Sequence, residues 1–251
     1  MKTLDNQVAL LTGGLGSLGR AQAVKLAAEG AHVLLLDRPD ADRGREITAA
    51  LAQEAAGRIT YVGCDLNKLE ETEKQALSVA ETYGGIDILI NNAALIINRP
   101  FEQFSLNEYE EQIRVNSSAC FALARACAPG MKKKRKGAIV NFCSVTLNGR
   151  FDGYVPYVAS KGAMLGLTKT LARELGSYGI RVNAVSPGAV VSEAEKRVLG
   201  DKLKEFEDWI LQNQCLKVRI EPRHIADLVH FLVSPASVMI TGQNLAIDGG
   251  W

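Results

Sequence analysis

Apolar residues in this chain fall into short unbroken runs separated by longer stretches of mixed, helix-periodic sequence. The runs at 7–12, 31–36, 58–63, 86–90, 137–143, 180–185 and 243–247 are five to seven residues long. Their length and lack of alternation predict strands buried on both faces, as in parallel sheets. Helical composition occupies the intervals near 17–29, 40–56, 68–83, 106–130, 155–177 and 222–234. Strand alternating with helix predicts an α/β fold: a doubly wound, Rossmann-like parallel sheet of about seven strands. Its helices would cover both faces through right-handed crossovers. No linker, repeat or low-complexity stretch interrupts the pattern, so 1–251 is expected to be a single domain.

The segment 188–220 fits neither pattern. It is too long for a simple connection, and long connections in compact domains are commonly functional. Residues 194–211 have amphipathic helical character, with Phe206, Trp209 and Ile210 on one face and Lys204, Glu205 and Asp208 opposite. The expectation is a lid over substrate; the alternative is a helix packed permanently at a subunit interface.

Three features add chemistry to this frame. Val8-Ala9-Leu10-Leu11-Thr12 runs directly into Gly13-Gly14-Leu15-Gly16-Ser17-Leu18-Gly19-Arg20, followed by helical sequence ending at Gly30. Strand, glycine turn and helix form the context of a phosphate cradle, where unpaired N–H groups and the helix dipole meet an anion. A second apolar run then delivers Asp37, 18 residues after Gly19. That is close to the spacing at which a carboxylate binds the ribose hydroxyls of a dinucleotide. Tyr157 and Lys161 stand four apart, hence on one face of a helix, with Ser144 upstream. A free phenol titrates near ~10, and a cation about 4–6 Å away lowers that value. The pair predicts a tyrosine general acid/base built without histidine.

These motifs resemble those of the short-chain dehydrogenase/reductase family, and the resemblance covers nearly the whole chain. The family's Thr-Gly, three residues, Gly, one residue, Gly falls on Thr12, Gly13 and Gly19, with Ser17 at the middle glycine. Asn91-Asn92-Ala93-Ala94 is similar to its Asn-Asn-Ala-Gly, with Ala94 in place of glycine. Asn183 to Gly188, Thr241-Gly242-Gln243 and Asp248-Gly249-Gly250 also look like family signatures. The resemblance implies a catalytic set of Asn116, Ser144, Tyr157 and Lys161. Ser144 would hold the substrate oxygen, and Asn116 would position a water relaying protons from Lys161. The implied cofactor is NAD. It would lie on Gly13, Gly16, Ser17, Leu18 and Gly19, with Asp37 and Arg38 at the adenosine ribose and Asp65 and Leu66 at the adenine. Asn92, Ala93 and Ala94 would follow, then Tyr157 and Lys161 at the nicotinamide ribose, and Pro187, Gly188, Val190 and Ser192 at the carboxamide. The family also implies a homotetramer or homodimer.

Composition narrows the class. With 47% hydrophobic and 23% charged residues, the chain reads as an ordinary globular protein. A formal net charge of +1 points to neither nucleic acid nor acidic membrane as partner. Residues 1–8 carry no apolar signal core, and no run approaches the ~18 apolar residues of a membrane helix. The expected location is cytoplasmic. Five scattered cysteines without a Cys-x-x-Cys pair read as buried small hydrophobes. His32, His224 and His230 lack ligand spacing, so no metal is expected. The basic run Lys132-Lys133-Lys134-Arg135-Lys136 precedes the fifth strand, at the sheet edge opposite the ligand edge, and reads as a solvated loop.

The leading reading is an NAD-dependent oxidoreductase acting on a small-molecule secondary alcohol or its ketone. An NADPH-dependent ketone or 3-oxoacyl thioester reductase stays open because Arg38 could pair with a 2′-phosphate. A non-catalytic Rossmann-type binding protein is the alternative of another class. Ala94, Leu95, Val145, Thr146, Leu147, Tyr154, Ala189 and 188–220 are expected to line a mainly apolar substrate pocket with few charges.

Overall fold

Leu10 and Leu11 are both fully buried, yet they point to opposite sides of one sheet. That divergence is why the strands read as unbroken apolar runs: each alternate side chain meets a helix layer. The computed structural model describes residues 2–149 and 151–251. Their strands are β1 (Val8–Thr12), β2 (His32–Asp37), β3 (Arg58–Gly63), β4 (Ile88–Asn91), β5 (Gly137–Phe142), β6 (Ile180–Pro187) and β7 (Asn244–Ile247). All pairings are parallel, in the order β3-β2-β1-β4-β5-β6-β7.

On one face α1 (Ser17–Ala28), α2 (Ala41–Ala55) and α9 (Pro222–Val233) pack against Ala9, Leu11, Val33 and Leu35. On the other, α3 (Leu69–Thr82), α5 (Ala119–Lys134) and α6 (Val155–Leu175) cover Leu10, Leu34, Leu36 and Leu89. The expected doubly wound fold is therefore present. The chain passes from β3 back over β2 and β1 to β4, so strand order reverses between β1 and β4. Doubly wound sheets bind ligands at the carboxyl ends of the strands beside such a reversal.

Two regions differ from the sequence reading. The helix expected over 106–130 is interrupted. A capping box at Ser105 and Glu108 starts α4 (Leu106–Ile113), Arg114–Ser118 forms a π-turn, and α5 then runs past Pro129 to Lys134. The segment 188–220 holds two helices instead of one, α7 (Glu193–Leu199) and α8 (Leu203–Asn213). They part at Gly200, whose φ is +52°. A single bridge pairs Val190 with Ile220 and closes the segment at its base.

The basic run ends α5 at the predicted edge, with several charges satisfied within the chain. Lys134 Nζ lies 2.7 Å from Asp87, Arg135 donates to the Ser177 carbonyl at 2.8 Å, and Lys132 sits over the Tyr178 ring. Four cysteines are buried, but Cys215 is exposed, contrary to expectation, because it follows α8 on the surface. The histidines take structural partners: His32 meets Thr60, His230 meets Thr3, and His224 caps α9. Among the described residues no helix is long and apolar enough to cross a membrane.

Candidate active site

Thr12, the last residue of β1, organises the start of the site. Its hydroxyl accepts the main-chain N–H groups of Asn92 and Ala93, both at 3.0 Å. Asn92 returns its side-chain amide to the Thr12 carbonyl at 2.9 Å. These bonds hold the glycine turn against the end of β4. Gly13 takes a left-handed φ of +66°, and a methyl group on Gly19 would come within 2.2 Å of the Gly13 carbonyl oxygen. Only glycine lets α1 begin so close beneath the turn. Gly16 caps α1 without any side-chain hydrogen bond, so the helix presents bare N–H groups at the strand-order reversal. This is the chemistry of an anion cradle, and it fits a dinucleotide pyrophosphate.

The neighbouring positions are only partly as expected. Asp37 ends β2 and accepts from the Leu15 N–H at 2.9 Å, tying the acid to the turn. Arg38 is exposed beside it. Asp65 and Leu66 follow β3 at the same edge. The Ser17 hydroxyl accepts from the Glu193 N–H at 3.1 Å.

At the carboxyl end of β5, Ser144 stands opposite the first two turns of α6, which carry Tyr157 and Lys161. A buried ladder fixes their spacing. Asn91 donates to Asn141 at 2.8 Å, and Asn141 donates to Thr168 of α6 at 2.9 Å. Lys161, 1% exposed, donates to the Phe142 carbonyl at 2.6 Å, and its Nζ lies 5.4 Å from the Tyr157 ring centroid. Asn116 sits in the π-turn, a feature often found at functional sites. Its amide donates to the Leu95 carbonyl and the Ser160 hydroxyl, each at 3.0 Å, and its oxygen accepts from the Leu95 N–H at 2.7 Å.

The electrostatics depart from the simple pairing expected. Burial pushes the Tyr157 phenol up to about 12, and a hydrogen bond with Ser144 pulls it back only in part. Burial also lowers Lys161, while Cys120 and Cys143 act in the opposite sense. Two groups removed from water together each lose solvation, and here that loss outweighs their proximity. In the cofactor-free chain the phenol is held protonated.

Ser144, Tyr157 and Lys161 face one pocket of about 220 Å³ at this edge. Leu18, Asn92, Ala94, Pro187, Gly188, Val190 and Ser192 contribute to it, with Val145, Thr146, Tyr154 and Ala189. Leu95 and Leu147 do not reach it. Leu95 is bonded on both sides to Asn116, and Leu147 packs against the small cluster around Met164. Sequence reasoning missed Ile96 and Phe151; Glu195 of α7 falls within the expected 188–220 lining, but it brings a charge into a pocket expected to have few.

A family profile described as enoyl-(acyl carrier protein) reductase matches residues 13–251. Dehydrogenase/reductase SDR family member 4 of Oryctolagus cuniculus is 33% identical, covering 98% of this chain and 94% of the relative. The chain belongs to the short-chain dehydrogenase/reductase family. It is thus an oxidoreductase of a family that uses nicotinamide cofactors. Among solved structures of this family, a gluconate 5-dehydrogenase assignment from Beutenbergia cavernae with bound NADP superposes with a TM-score of 0.93. It is 33% identical and covers 99% of this chain and 98% of that one. An NAD⁺-bound xylitol dehydrogenase superposes at 0.91, is 28% identical, and covers 99% and 100%. In this short-chain dehydrogenase/reductase the glycine turn, the Asn116 π-turn and the Ser144, Tyr157 and Lys161 group lie along one sheet edge.

Proposed function

We propose that this chain interconverts a secondary alcohol and its ketone with NAD(H), using Tyr157 as the general acid/base. The observation that carries the reading is the convergence of Ser144, Tyr157 and Lys161 on one pocket at the strand-order reversal. A bound nicotinamide would supply or accept the hydride. The glycine turn and the bare start of α1 would hold its pyrophosphate, and Asp37 its adenosine ribose. Pro187, Gly188, Val190 and Ser192 would hold the carboxamide end.

In reduction the protonated phenol of Tyr157 donates its proton to the nascent alkoxide. In oxidation the Tyr157 phenol first gives up its proton, and the phenolate then removes the alcohol proton. Ser144 orients the substrate oxygen by hydrogen bond beside the phenol. Lys161, anchored on Phe142, supplies positive charge next to the oxygen that gains negative charge, an effect worth most where water is excluded. We read Asn116 as a positioning residue that locks the loop after β4 to α6. With both amide hydrogens donated, the relay water expected of it would have to be held by its remaining acceptor. The 188–220 segment serves as a lid, hinged at the Val190–Ile220 bridge.

NAD is favoured by the Asp37 carboxylate, which would repel a 2′-phosphate. One observation favours a second reading: the Arg38 guanidinium is exposed beside Asp37 and free to meet a phosphate. Following reduced-cofactor absorbance with a panel of secondary alcohols and either NAD⁺ or NADP⁺ tests both. Absence of cofactor reduction and of ketone reduction across the panel, with cofactor binding intact, would overturn the activity.

A further inference from the structure

The pocket contains one charged side chain that the reading above leaves without a role. Glu195 is the third residue of α7; its side chain is only 9% exposed, and it lines the pocket with Thr146, Phe151, Tyr154 and Phe206. Arg219, across the base of the segment, meets Glu195 Oε1 at 2.5 Å and Glu207 at 3.2 Å. One guanidinium thus faces two carboxylates, and burial raises the proton affinity of Glu195. Among the described residues one side-chain hydrogen bond reaches the Glu195 carboxylate, from Arg219 to Oε1. The carboxylate is also close enough to Tyr154 to reinforce the upward effect of burial on that phenol. Tyr154 in turn stacks edge-on at 6.1 Å against Tyr157. Glu195 therefore stands one side chain away from the candidate acid/base.

A buried carboxylate is costly unless its lone pairs find donors. A hydroxyl that enters the pocket can supply such a donor to the oxygen that Arg219 does not hold. Phe151 and Phe206 offer flat apolar walls, suited to the C–H face of a ring or carbon chain, and the Thr146 hydroxyl, which donates to Ser144 Oγ at 2.9 Å, adds to the polar side. Small-molecule sites of this kind combine apolar walls with a few fixed polar groups that set orientation.

Resting on the secondary-alcohol reading, we propose that Glu195 is the specificity-determining residue of this pocket. Its carboxylate accepts a hydroxyl from a small neutral polyol or sugar, next to the carbinol that reacts between Ser144 and Tyr157, and it excludes substrates bearing a carboxylate. Arg219 is a positioning residue, holding Glu195 by one oxygen and leaving the other for the substrate.

A matched set of cyclohexane probes tests this: cyclohexanol, its vicinal cis diol, and the corresponding amino alcohol and hydroxy acid, each assayed with NAD⁺. The expected order puts the diol first, about ten-fold or more above cyclohexanol in kcat/KM, the scale of a hydrogen bond to a charged group. The hydroxy acid should come last. Glu195→Leu should remove the diol preference, bringing the diol-to-cyclohexanol ratio of kcat/KM close to one through a raised KM for the diol. Glu195→Gln can keep the bond to Arg219, so it should retain part of the diol preference and relieve the exclusion of the hydroxy acid. It also covers the case in which the Leu variant fails to fold. NADH titration should give the parent dissociation constant in both variants. A diol-to-cyclohexanol ratio that neither variant moves, or an amino alcohol or hydroxy acid as best substrate, overturns the role of Glu195 and leaves secondary-alcohol oxidation standing. No oxidation of any probe by the parent overturns both.

Discussion

The Ser17 hydroxyl accepts a hydrogen bond from the Glu193 main-chain N–H at 3.1 Å, joining the glycine turn to the first residue of α7. Arg20 reinforces the same junction, 3.7 Å from the Glu193 carboxylate. The residue that departs from the family's middle glycine thus faces the 188–220 segment. Ser17→Gly should change the NAD⁺ dissociation constant only a few-fold while making 193–199 more open to protease. Tighter NAD⁺ binding by about two orders of magnitude, some 2.7 kcal/mol, would mean that the hydroxyl obstructs the cofactor.

Tyr157→Phe should lower turnover by about 10²–10⁴-fold, the usual worth of a general acid/base, with cofactor binding preserved. Burial holds the phenol at about 12 in the free chain. An ultraviolet difference titration of parent against variant should show no phenolate from this residue below about pH 10. The sign for stability follows: a folded value above the unfolded ~10 favours the native state at lower pH, and that contribution is lost as pH rises toward about 12. A phenolate appearing near neutrality would restore Lys161 as the dominant influence.

Asp37→Ser should narrow the difference in kcat/KM between NAD⁺ and NADP⁺, because a carboxylate bonds ribose hydroxyls and repels a 2′-phosphate. The substitution also weakens the tie to the Leu15 N–H, so some loss with NAD⁺ is expected in parallel. Parent enzyme using the two cofactors equally well would show that Arg38 decides the preference.

Trp209→Ala should raise KM for the alcohol more than KM for NAD⁺. Trp209 packs on Phe151 at 5.9 Å and Phe206 at 6.0 Å, and both of those rings line the pocket. Cofactor together with a substrate analogue should protect 188–220 from protease in the parent. Cleavage unaffected by ligands, with alcohol KM unchanged in the variant, would reject closure of this segment.

Strands were legible because burial on both faces leaves a mark in the chain itself: Val33-Leu34-Leu35-Leu36 is apolar throughout and too short for a buried helix. Tyr157 and Lys161 were legible because helical spacing alone puts them side by side. The π-turn at Asn116 was not, since Arg114-Val115-Asn116-Ser117-Ser118 contains no glycine or proline to mark a break in the helical composition of 106–130. Glu195 fell within the lining expected of 188–220, but nothing in the sequence singled out its charge from those of Glu193 and Lys196. Its burial depends on Arg219, 24 residues on, brought near by the bridge between Val190 and Ile220. The proton affinity of Tyr157 escaped for a related reason: spacing reports neighbours, whereas desolvation is set by everything packed around them.

The chain has two tryptophans, and both belong to the aromatic cluster over the pocket. Trp209 and Trp251 lie 4.8 Å apart, and Phe151 stacks on Trp251 at 5.6 Å. The protein's intrinsic emission therefore originates almost wholly from the aromatic cluster that Phe151 and Phe206 join to the pocket wall. Rapid-mixing fluorescence on the unlabelled enzyme would time the proposed closure of 188–220 directly, with no engineered probe and little background from the rest of the fold.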